Sequence, residues 1–245
     1  MPSPYGLKII ESCLACPVQG ERLLCNLSDV GLRALDEITT PITYPKGAVL
    51  FVEGQQARGV YVVCSGRIKL SVGSADGNTV ILRISDPGDV VGLPGTISGT
   101  PYDLTAEVLE PAQVNFIPRD QFLGFLSQHA EAAVAVSRVL SEICHRTYQE
   151  VRALGLGRTA SQKLSRFLLD WAANSRRVAA SAHIPLTLTH EEIAQTIGTS
   201  RETVTRLFSM LKRSQVVQVK GSSLTIRDRD ALESMANNPL REVIR

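Results

Sequence analysis

The sequence predicts an α+β fold in three parts: an antiparallel β-roll, a long dimerisation helix and a C-terminal winged helix-turn-helix domain. Short β-rich runs dominate residues 28–126, the predicted roll. Residues 127–157, the predicted helix and hinge, space their apolar side chains as a helix does and contain no glycine or proline before residue 155. Residues 158–245 combine capped helices with a basic hairpin, and residues 1–27 form a separate segment with three of the five cysteines.

The predicted roll consists of short strands separated by turn residues. Asp76-Gly77, between two of these strands, is typical of a tight hairpin turn. Many short strands with glycine at their corners favour a small antiparallel roll or barrel. The predicted strands cover residues 49–52, 60–64, 68–72, 79–84 and 113–117.

The predicted long helix carries two apolar stripes. The expected dimer seam steps by four and three residues through Leu140, Cys144, Thr147, Val151 and Leu154. A neighbouring stripe contains Val136, Val139 and Ile143. One stripe is expected to pack on its own domain and the other on a second copy, although an ordinary buried helix would show the same pattern. Gly155-Leu156-Gly157 predicts the hinge.

Two capping signals indicate a helix-turn-helix in the C-terminal domain. Thr189 followed by Glu192, and Thr199 followed by Glu202, have the spacing of a capping box. Gly198 lies between them, where a helix C-terminus favours a left-handed residue. Two helices joined by a short turn with glycine predict the arrangement found in DNA-binding proteins.

The second helix has a polar face suited to the major groove of DNA. An Arg can bond guanine O6 and N7 together, and a Glu can accept a bond from cytosine N4. The expected base-reading side chains are Arg201, Glu202, Thr205 and Arg206. The phosphate-contact candidates are Ser200, Ser209, Lys212, Arg213, Lys220 and Arg158. The face expected in the core carries Val204, Leu207, Phe208 and Leu211.

Charge supports the same interpretation. Residues 158–245 carry 14 Lys and Arg against 8 Asp and Glu, which favours a polyanionic partner. The alternative is a solvated helix face stabilised by a Glu202–Arg206 pair.

Almost the whole chain resembles the CRP/FNR family of bacterial transcription regulators. The matching stretches are residues 188–208, 46–54, 61–70 and 87–92, the last three within that family's cyclic-nucleotide-binding-like β-roll. The resemblance implies a homodimer that binds a two-fold-symmetric operator in double-stranded DNA, with RNA polymerase as a partner if it activates. Arg201, Glu202 and Arg206 match the cyclic-AMP receptor pattern, which implies a TGTGA-like half-site, while Thr205 leaves the outer base preference open.

The resemblance also bears on the ligand of the roll. Family members that bind cyclic AMP place a Glu for the ribose just after the glycine matched by Gly92, and an Arg-Ser pair for the phosphate further on. Here Leu93 and Pro94 offer no carboxylate, and Tyr102-Asp103 contains no arginine. Cyclic AMP is therefore not expected to bind.

Three N-terminal cysteines, Cys13, Cys16 and Cys25, form a candidate ligand set for an iron–sulfur cluster or zinc. The oxygen-sensing branch of the family carries a similar but more closely spaced set, with a fourth cysteine at the position that matches Asn115. The alternatives are a redox thiol switch and small residues in a flexible leader. The fourth-ligand candidates are Cys64, Cys144 and an aspartate. Haem is not favoured, because none of the four histidines lies in the predicted roll.

Composition points to an ordinary globular protein of the cytoplasm, with 44% hydrophobic and 20% charged residues. No apolar run reaches the length of a membrane helix, and residues 1–11 lack a secretory signal. No enzyme is predicted, because Cys13-x2-Cys16 lacks the βαβ setting of a redox enzyme. A cyclic-nucleotide module without DNA function would not need the polar helix face. The expected function is a homodimeric regulator that couples a signal in the roll or N-terminal segment to operator binding.

Overall fold

The computed structural model describes residues 4–17, 23–73, 79–155, 159–178, 184–221 and 223–237. The chain divides into two compact units, Met1–Tyr148 and Gln149–Arg245. Every helix in the described ranges is too short or too polar to cross a membrane.

The first unit begins with short 3-10 turns at Pro4–Gly6, Cys13–Ala15 and Leu23–Asn26. Its helices are α1 (Asp29–Glu37), α2 (Leu93–Ser98), α3 (Arg119–Gln128) and α4 (Ala130–Gly155), the last running into the second unit. Its strands are β1 (Thr40–Tyr44), β2 (Val49–Phe51), β3 (Gly59–Gly73), β4 (Thr79–Ser85), β5 (Val90–Val91) and β6 (Thr105–Pro118).

The strands of the first unit form one antiparallel sheet in the order β1-β6-β3-β4, with β2 on β6 and β5 on β3. Strand β3 joins two of the predicted runs, because Gly66 carries the chain past β6 with a φ of 77°. A side chain at Gly66 would collide with the backbone of Pro111 and Ala112. The long central strand therefore depends on glycine at this position.

Strand β3 separates two apolar cores by simple alternation. Val60 and Val62 pack with α1, α3 and α4, whereas Val63 packs inside the roll. On β6, Ile117 belongs to the first core and Val114 to the second. The N-terminal cysteines Cys13 and Cys25 pack against the first core, so they lie on the outer face of the roll.

The predicted single helix from about residue 127 differs from the structure. Residues 119–128 already form α3, and α4 begins at Ala130 after a break at His129, whose φ and ψ are −120° and 89°. The His129 carbonyl accepts from Ala132 and Ala133, and its ring lies 4.7 Å from that of Phe125. His129 therefore ends one helix and starts the next.

The second unit contains α5 (Ala160–Val178), α6 (His190–Ile197), α7 (Arg201–Arg213) and α8 (Arg229–Asn237). Its strands β7 (Ile184–Pro185), β8 (Val217–Lys220) and β9 (Ser223–Ile226) form an antiparallel sheet in the order β7-β9-β8. The predicted α+β class, with a roll and a winged helix-turn-helix, is confirmed. The Asp76-Gly77 turn, and Leu156, Gly157 and Arg158 at the hinge, lie outside the described residues.

Candidate DNA interface and cysteine site

The first helix of the helix-turn-helix begins with the predicted capping box. The Thr189 hydroxyl accepts from the Glu192 amide at 3.2 Å, and the Glu192 carboxylate accepts from the Thr189 amide at 2.8 Å. The helix ends at Gly198, which has a φ of 64°. Both ends of α6 are therefore defined by local sequence, as predicted.

The second predicted capping box is wrong. Thr199 lies in the turn, where its amide donates to the carbonyl of Ala194, and the N-cap of α7 is Ser200. The Ser200 hydroxyl accepts from the Thr203 amide at 3.2 Å. The expected phosphate contact Ser200 therefore also caps the helix.

Helix α7 presents the expected side chains on its exposed surface. Val204, Phe208 and Leu211 are buried, and Leu207 is half-buried. The exposed side chains are Arg201, Glu202, Thr205, Arg206, Ser209, Met210, Lys212 and Arg213. Hydrogen bonds from its own amide and from Ser200 lower the pKa of Glu202, so its carboxylate is charged and can only accept.

A contact between α6 and α7 was not foreseen from the sequence. His190, the first residue of α6, places Nδ1 2.9 Å from Oγ1 of Thr205. Its ring stacks on the buried ring of Phe208 with a centroid distance of 5.0 Å and an interplanar angle of 7°. Burial, and the charges of Lys212 and Arg201, lower the pKa of His190. No local pattern could reveal this contact, because it joins residues on different helices.

A concave surface lies between the end of α7 and the β8–β9 hairpin. It has a volume of about 490 Å³ and is lined by Lys212, Gln215, Val217, Gln218, Val219 and Arg227. Gln215 turns the chain with a φ of 57°, and Arg227 Nε donates to Gln218 at 3.1 Å. Arg227 is a cationic side chain at this surface that sequence reasoning missed. The predicted Lys220 is exposed at the end of β8.

Four cysteines line one small cavity in the first unit. The cavity encloses about 20 Å³, enough for one water molecule, and its walls include Cys13, Cys16, Cys25, Cys64 and Asn115. Cys64 continues the alternation of Val60 and Val62 along β3, and it lies where the register with β6 shifts between Val63 and Ser65. Of the fourth-ligand candidates, Cys64 therefore lies at the cavity, whereas Cys144 is exposed on α4.

The N-terminal cysteine segment is held on the roll by long-range hydrogen bonds. The Gln113 side chain accepts from the Ile10 amide at 2.8 Å and donates to the Ile10 carbonyl at 2.6 Å. Asp36 on α1 accepts from the Ser12 hydroxyl at 2.8 Å and the Cys13 amide at 2.9 Å. These contacts do not favour a flexible leader for this part of the segment.

Burial keeps two of the thiols protonated. It raises the pKa of Cys13 to about 12, with a further contribution from Asp36, and it also raises that of Cys64. Asn115 donates from Nδ2 to the Cys13 sulfur at 3.7 Å. Its Oδ1 is buried without a partner among the described residues, and the side chain is only 7% exposed. An unsatisfied acceptor therefore belongs to a residue that lines the cavity and contacts Cys13.

No group of three described His, Cys, Asp or Glu side chains is arranged to hold a single metal ion. Four thiolates bound to one zinc, each at about 2.3 Å, would lie about 3.8 Å from one another. In a 4Fe–4S cluster each cysteine binds a different iron, which needs wider spacing. The structure brings four thiols to one cavity but does not arrange them around a single ion.

The expected dimer seam follows α4 out of the core. Leu140 is half-buried against the first core, whereas Cys144, Thr147 and Val151 are exposed, Val151 by 60%. Val136 of the neighbouring stripe is buried. The side chain of Leu154 lies outside the described set.

Tyr102 fills the part of the roll where the resemblance would place a nucleotide phosphate. It is 3% exposed, stacks on Phe51 at a centroid distance of 3.8 Å, and donates to the Gly59 carbonyl at 2.7 Å. Its ring also lies so close to Gly92 that a Cβ there would be 2.9 Å from it. Leu93 is fully buried.

Comparison with known proteins assigns both units. Residues 41–129 match the cyclic nucleotide-binding domain, and residues 162–235 match the Crp-like helix-turn-helix domain. The predicted boundaries of the four regions remain predictions.

Similarity extends over most of the chain. It is 30% identical to the transcriptional activator protein Anr of Pseudomonas protegens, over 84% of each protein. It is 27% identical to the CRP-like cAMP-activated global transcriptional regulator of Mycobacterium tuberculosis, over 84% of this chain and 92% of that protein. The fold resembles FixK2 from Bradyrhizobium japonicum, with a TM-score of 0.74 and 24% identity over 82% of this chain and 98% of that one. The chain therefore belongs to the CRP/FNR family of transcription regulators, which bind DNA through a helix-turn-helix and typically act as dimers.

Proposed function

We propose that this chain is a homodimeric regulator that reads a TGTGA-like half-site through α7 and responds to oxygen or redox state through its four-cysteine cavity. The exposed face of α7 is the observation that carries the DNA-reading part. The side chains of Arg201, Glu202 and Arg206 are exposed on that face, and their chemistry suits hydrogen bonds to base edges. Lys212, Arg213, Lys220 and Arg227 surround it with positive charge for phosphates.

Operator binding is tested by selection from randomised duplexes, followed by affinity measurements. Arg206→Ala is expected to weaken binding to the selected sequence by about 10- to 100-fold, since a bidentate Arg–guanine pair contributes about 1–3 kcal/mol. Arg229→Ala is the matched control, because Arg229 is exposed on α8 and paired with Glu233. An equal loss of affinity in both variants would mean that Arg206 contributes only non-specific positive charge. If no sequence is selected at all, the proposal is overturned.

We propose that Cys13, Cys16, Cys25 and Cys64 are the ligands of an iron–sulfur cluster, whose binding would require the cavity to widen from its present volume of about 20 Å³. When bound, such a cluster supplies one-electron and oxygen-sensitive chemistry. The protein encloses the site, and the raised pKa values of Cys13 and Cys64 make these thiols poor nucleophiles in the absence of a metal.

Anaerobic purification followed by iron and sulfide analysis tests the cluster. We expect stoichiometric iron and sulfide, and a brown absorbance that air bleaches. Cys64→Ala is expected to lose iron, whereas the control Cys144→Ala keeps it, with circular dichroism showing that both fold. A colourless, iron-free wild-type protein would overturn the cluster. Bound zinc in place of iron would identify the site as a zinc site. An unchanged iron content in Cys64→Ala would exclude Cys64 as a ligand.

Helix α1 is the proposed link from the cysteine site to α4. Its residue Asp36 holds Ser12 and Cys13, and its N-cap Ser28 bonds Glu131 in the first turn of α4. The Ser28 contacts lower the pKa of Glu131, which keeps this carboxylate charged. A movement of the cysteine segment would therefore act on the helix proposed to form the dimer.

The dimer is proposed to form along the exposed part of α4. Cys144, Val151 and Tyr148 leave apolar surface uncovered there, and heptad-like spacing suits a second copy of the same helix. Sedimentation of Val151→Glu tests this interface, with a shift toward monomer as the expected result. An unchanged dimer would place the interface elsewhere.

Cyclic AMP is proposed not to be the signal, although one relative is named as cAMP-activated. Tyr102 and Leu93 occupy the corresponding part of the roll with buried side chains. Operator affinity is therefore expected to be the same with and without cyclic AMP, and an increase on its addition would overturn this inference.

A further inference from the structure

The hydroxyl group of Thr205 is engaged on both sides. It donates to the Arg201 carbonyl one turn earlier at 3.0 Å, and Oγ1 lies 2.9 Å from Nδ1 of His190. A hydroxyl has one proton, which here goes to the carbonyl. Nδ1 of His190 must therefore be the donor to Thr205, and both the neutral Nδ1–H form and the imidazolium can make this bond.

His190 is held firmly enough to act as a fixed donor. It is the first residue of a helix with a complete capping box, and its ring lies flat on Phe208, which is buried. Of the groups near the ring, Lys212 and Arg201 are cationic. The geometry holds the Thr205 hydroxyl toward α6 and the backbone.

The remaining group on the exposed Thr205 side chain is its methyl. In the major groove the apolar partner for a threonine methyl is the C5-methyl of thymine, which uracil lacks and cytosine does not carry. We propose that His190 is a positioning residue that fixes the rotamer of Thr205, so that α7 selects thymine at the base pair this residue faces. The proposal rests on the DNA-reading role of α7 and supplies the base preference that the sequence pattern left open.

Replacing thymine by deoxyuridine tests the methyl contact directly. Each thymine of the selected operator is replaced singly, which removes one methyl group and leaves the base pairing intact. Replacement is expected to matter at one position, which is the same in both half-sites. There the wild-type protein is expected to bind the deoxyuridine duplex about fourfold more weakly than the thymine duplex, the effect of losing one buried methyl group. Thr205→Ser keeps the hydroxyl but lacks the methyl, and it is expected to bind both duplexes equally.

His190→Phe separates positioning from packing. Phenylalanine keeps the stacking on Phe208 but cannot donate to Thr205, so the thymine-to-uracil affinity ratio is expected to fall toward one while α6 and α7 stay folded. In the wild-type protein the ratio is expected to be the same at pH 5.5 and pH 8, because both protonation states of His190 carry the Nδ1 proton; the pH values bracket its ordinary pKa of about 6.5.

The outcomes distinguish this inference from the proposed function. Absence of any selected operator overturns both. Specific binding that depends on Arg206 but shows no deoxyuridine effect, or an effect that persists in Thr205→Ser, overturns the methyl contact alone. A wild-type ratio in His190→Phe overturns the positioning role of His190.

Discussion

The recognition helix and the cysteine cavity differ in almost every physical respect. Helix α7 presents charged, hydrogen-bonding side chains to solvent, and its shape is fixed by local caps and by Val204, Phe208 and Leu211 beneath it. The cavity is enclosed by segments far apart in the sequence, and its lining residues include Asn115, whose Oδ1 has no partner among the described residues. One surface is defined within a single helix, whereas the other depends on the packing of several segments.

This contrast indicates which region of such a regulator can respond to a signal. A preformed reading surface has little to gain from a signal in its own unit, since its side chains are already exposed. A buried site with protonated thiols changes its charge and hydrogen bonding when a metal enters or leaves. If the two regions are independent in stability, a substitution in one of them should leave the stability of the other unchanged.

The largest effect is expected from Phe208→Ala. Removing this buried ring is expected to lower the free energy of unfolding of the C-terminal unit by about 3–5 kcal/mol. The single tryptophan, Trp171, lies in α5, so urea titration of its fluorescence reports on this unit alone. Iron content is expected to stay at the wild-type level, and a parallel loss of iron would show that the two regions are not independent.

Gln113→Ala is the converse test, because it disturbs the cysteine region and leaves the C-terminal unit unchanged. It leaves the Ile10 amide and carbonyl without their partners, at a cost of about 1–3 kcal/mol in the contact that holds the N-terminal segment. In a metal-free Cys144→Ser background, thiol labelling is expected to become faster while the Trp171 unfolding curve is unchanged. An unaltered labelling rate would mean that Gln113 does not restrain the cysteines.

Ser28→Ala tests the link between α1 and α4. The change removes an N-cap and a partner of Glu131, and it is expected to cost about 1 kcal/mol. Hydrogen exchange of the Gly31 amide, which donates to Ser28 Oγ at 3.2 Å, is expected to become faster. Thr39→Ala is the control, because the Thr39 hydroxyl bonds only the carbonyl end of α1.

The smallest effect is a pH dependence from His190. Because its folded pKa lies below 6.5, the unfolded chain binds the proton more readily. The stability contributed by neutral His190 is therefore present above about pH 6.5 and is lost as pH falls through the lower folded value. Urea titration of Trp171 fluorescence in His190→Gln is expected to show a flatter pH profile than wild type, and identical profiles would contradict this assignment.

Local signals accounted for most of the DNA-binding unit. The Thr189–Glu192 box, Gly198 and the polar face of α7 are short-range patterns, and each lies where the sequence predicts. The error at Thr199 was one of a single residue, because Ser200 offers the same capping chemistry at the next position. Helical periodicity and capping residues are enough to predict a site whose residues are close together in the sequence.

The cysteine site could be predicted only in part, because its walls come from distant segments. Cys13, Cys16 and Cys25 are recognisable as a candidate site because they cluster in the sequence. The positions of Cys64 and Asn115 beside them depend on the pairing of β3 with β6. Alternation along a strand puts Val62 and Cys64 on one face, but nothing local identifies that face as the one covered by the N-terminal segment.

The hydrogen bonds between Gln113 and Ile10 also set an order of assembly. They join residues 103 positions apart, so the cysteine segment, which is synthesised first, cannot dock until the last strand of the roll has emerged and paired. Cys13 and Cys16 therefore reach their half-buried positions at the cavity only after the sheet is complete. The first cysteines made are thus among the last groups enclosed.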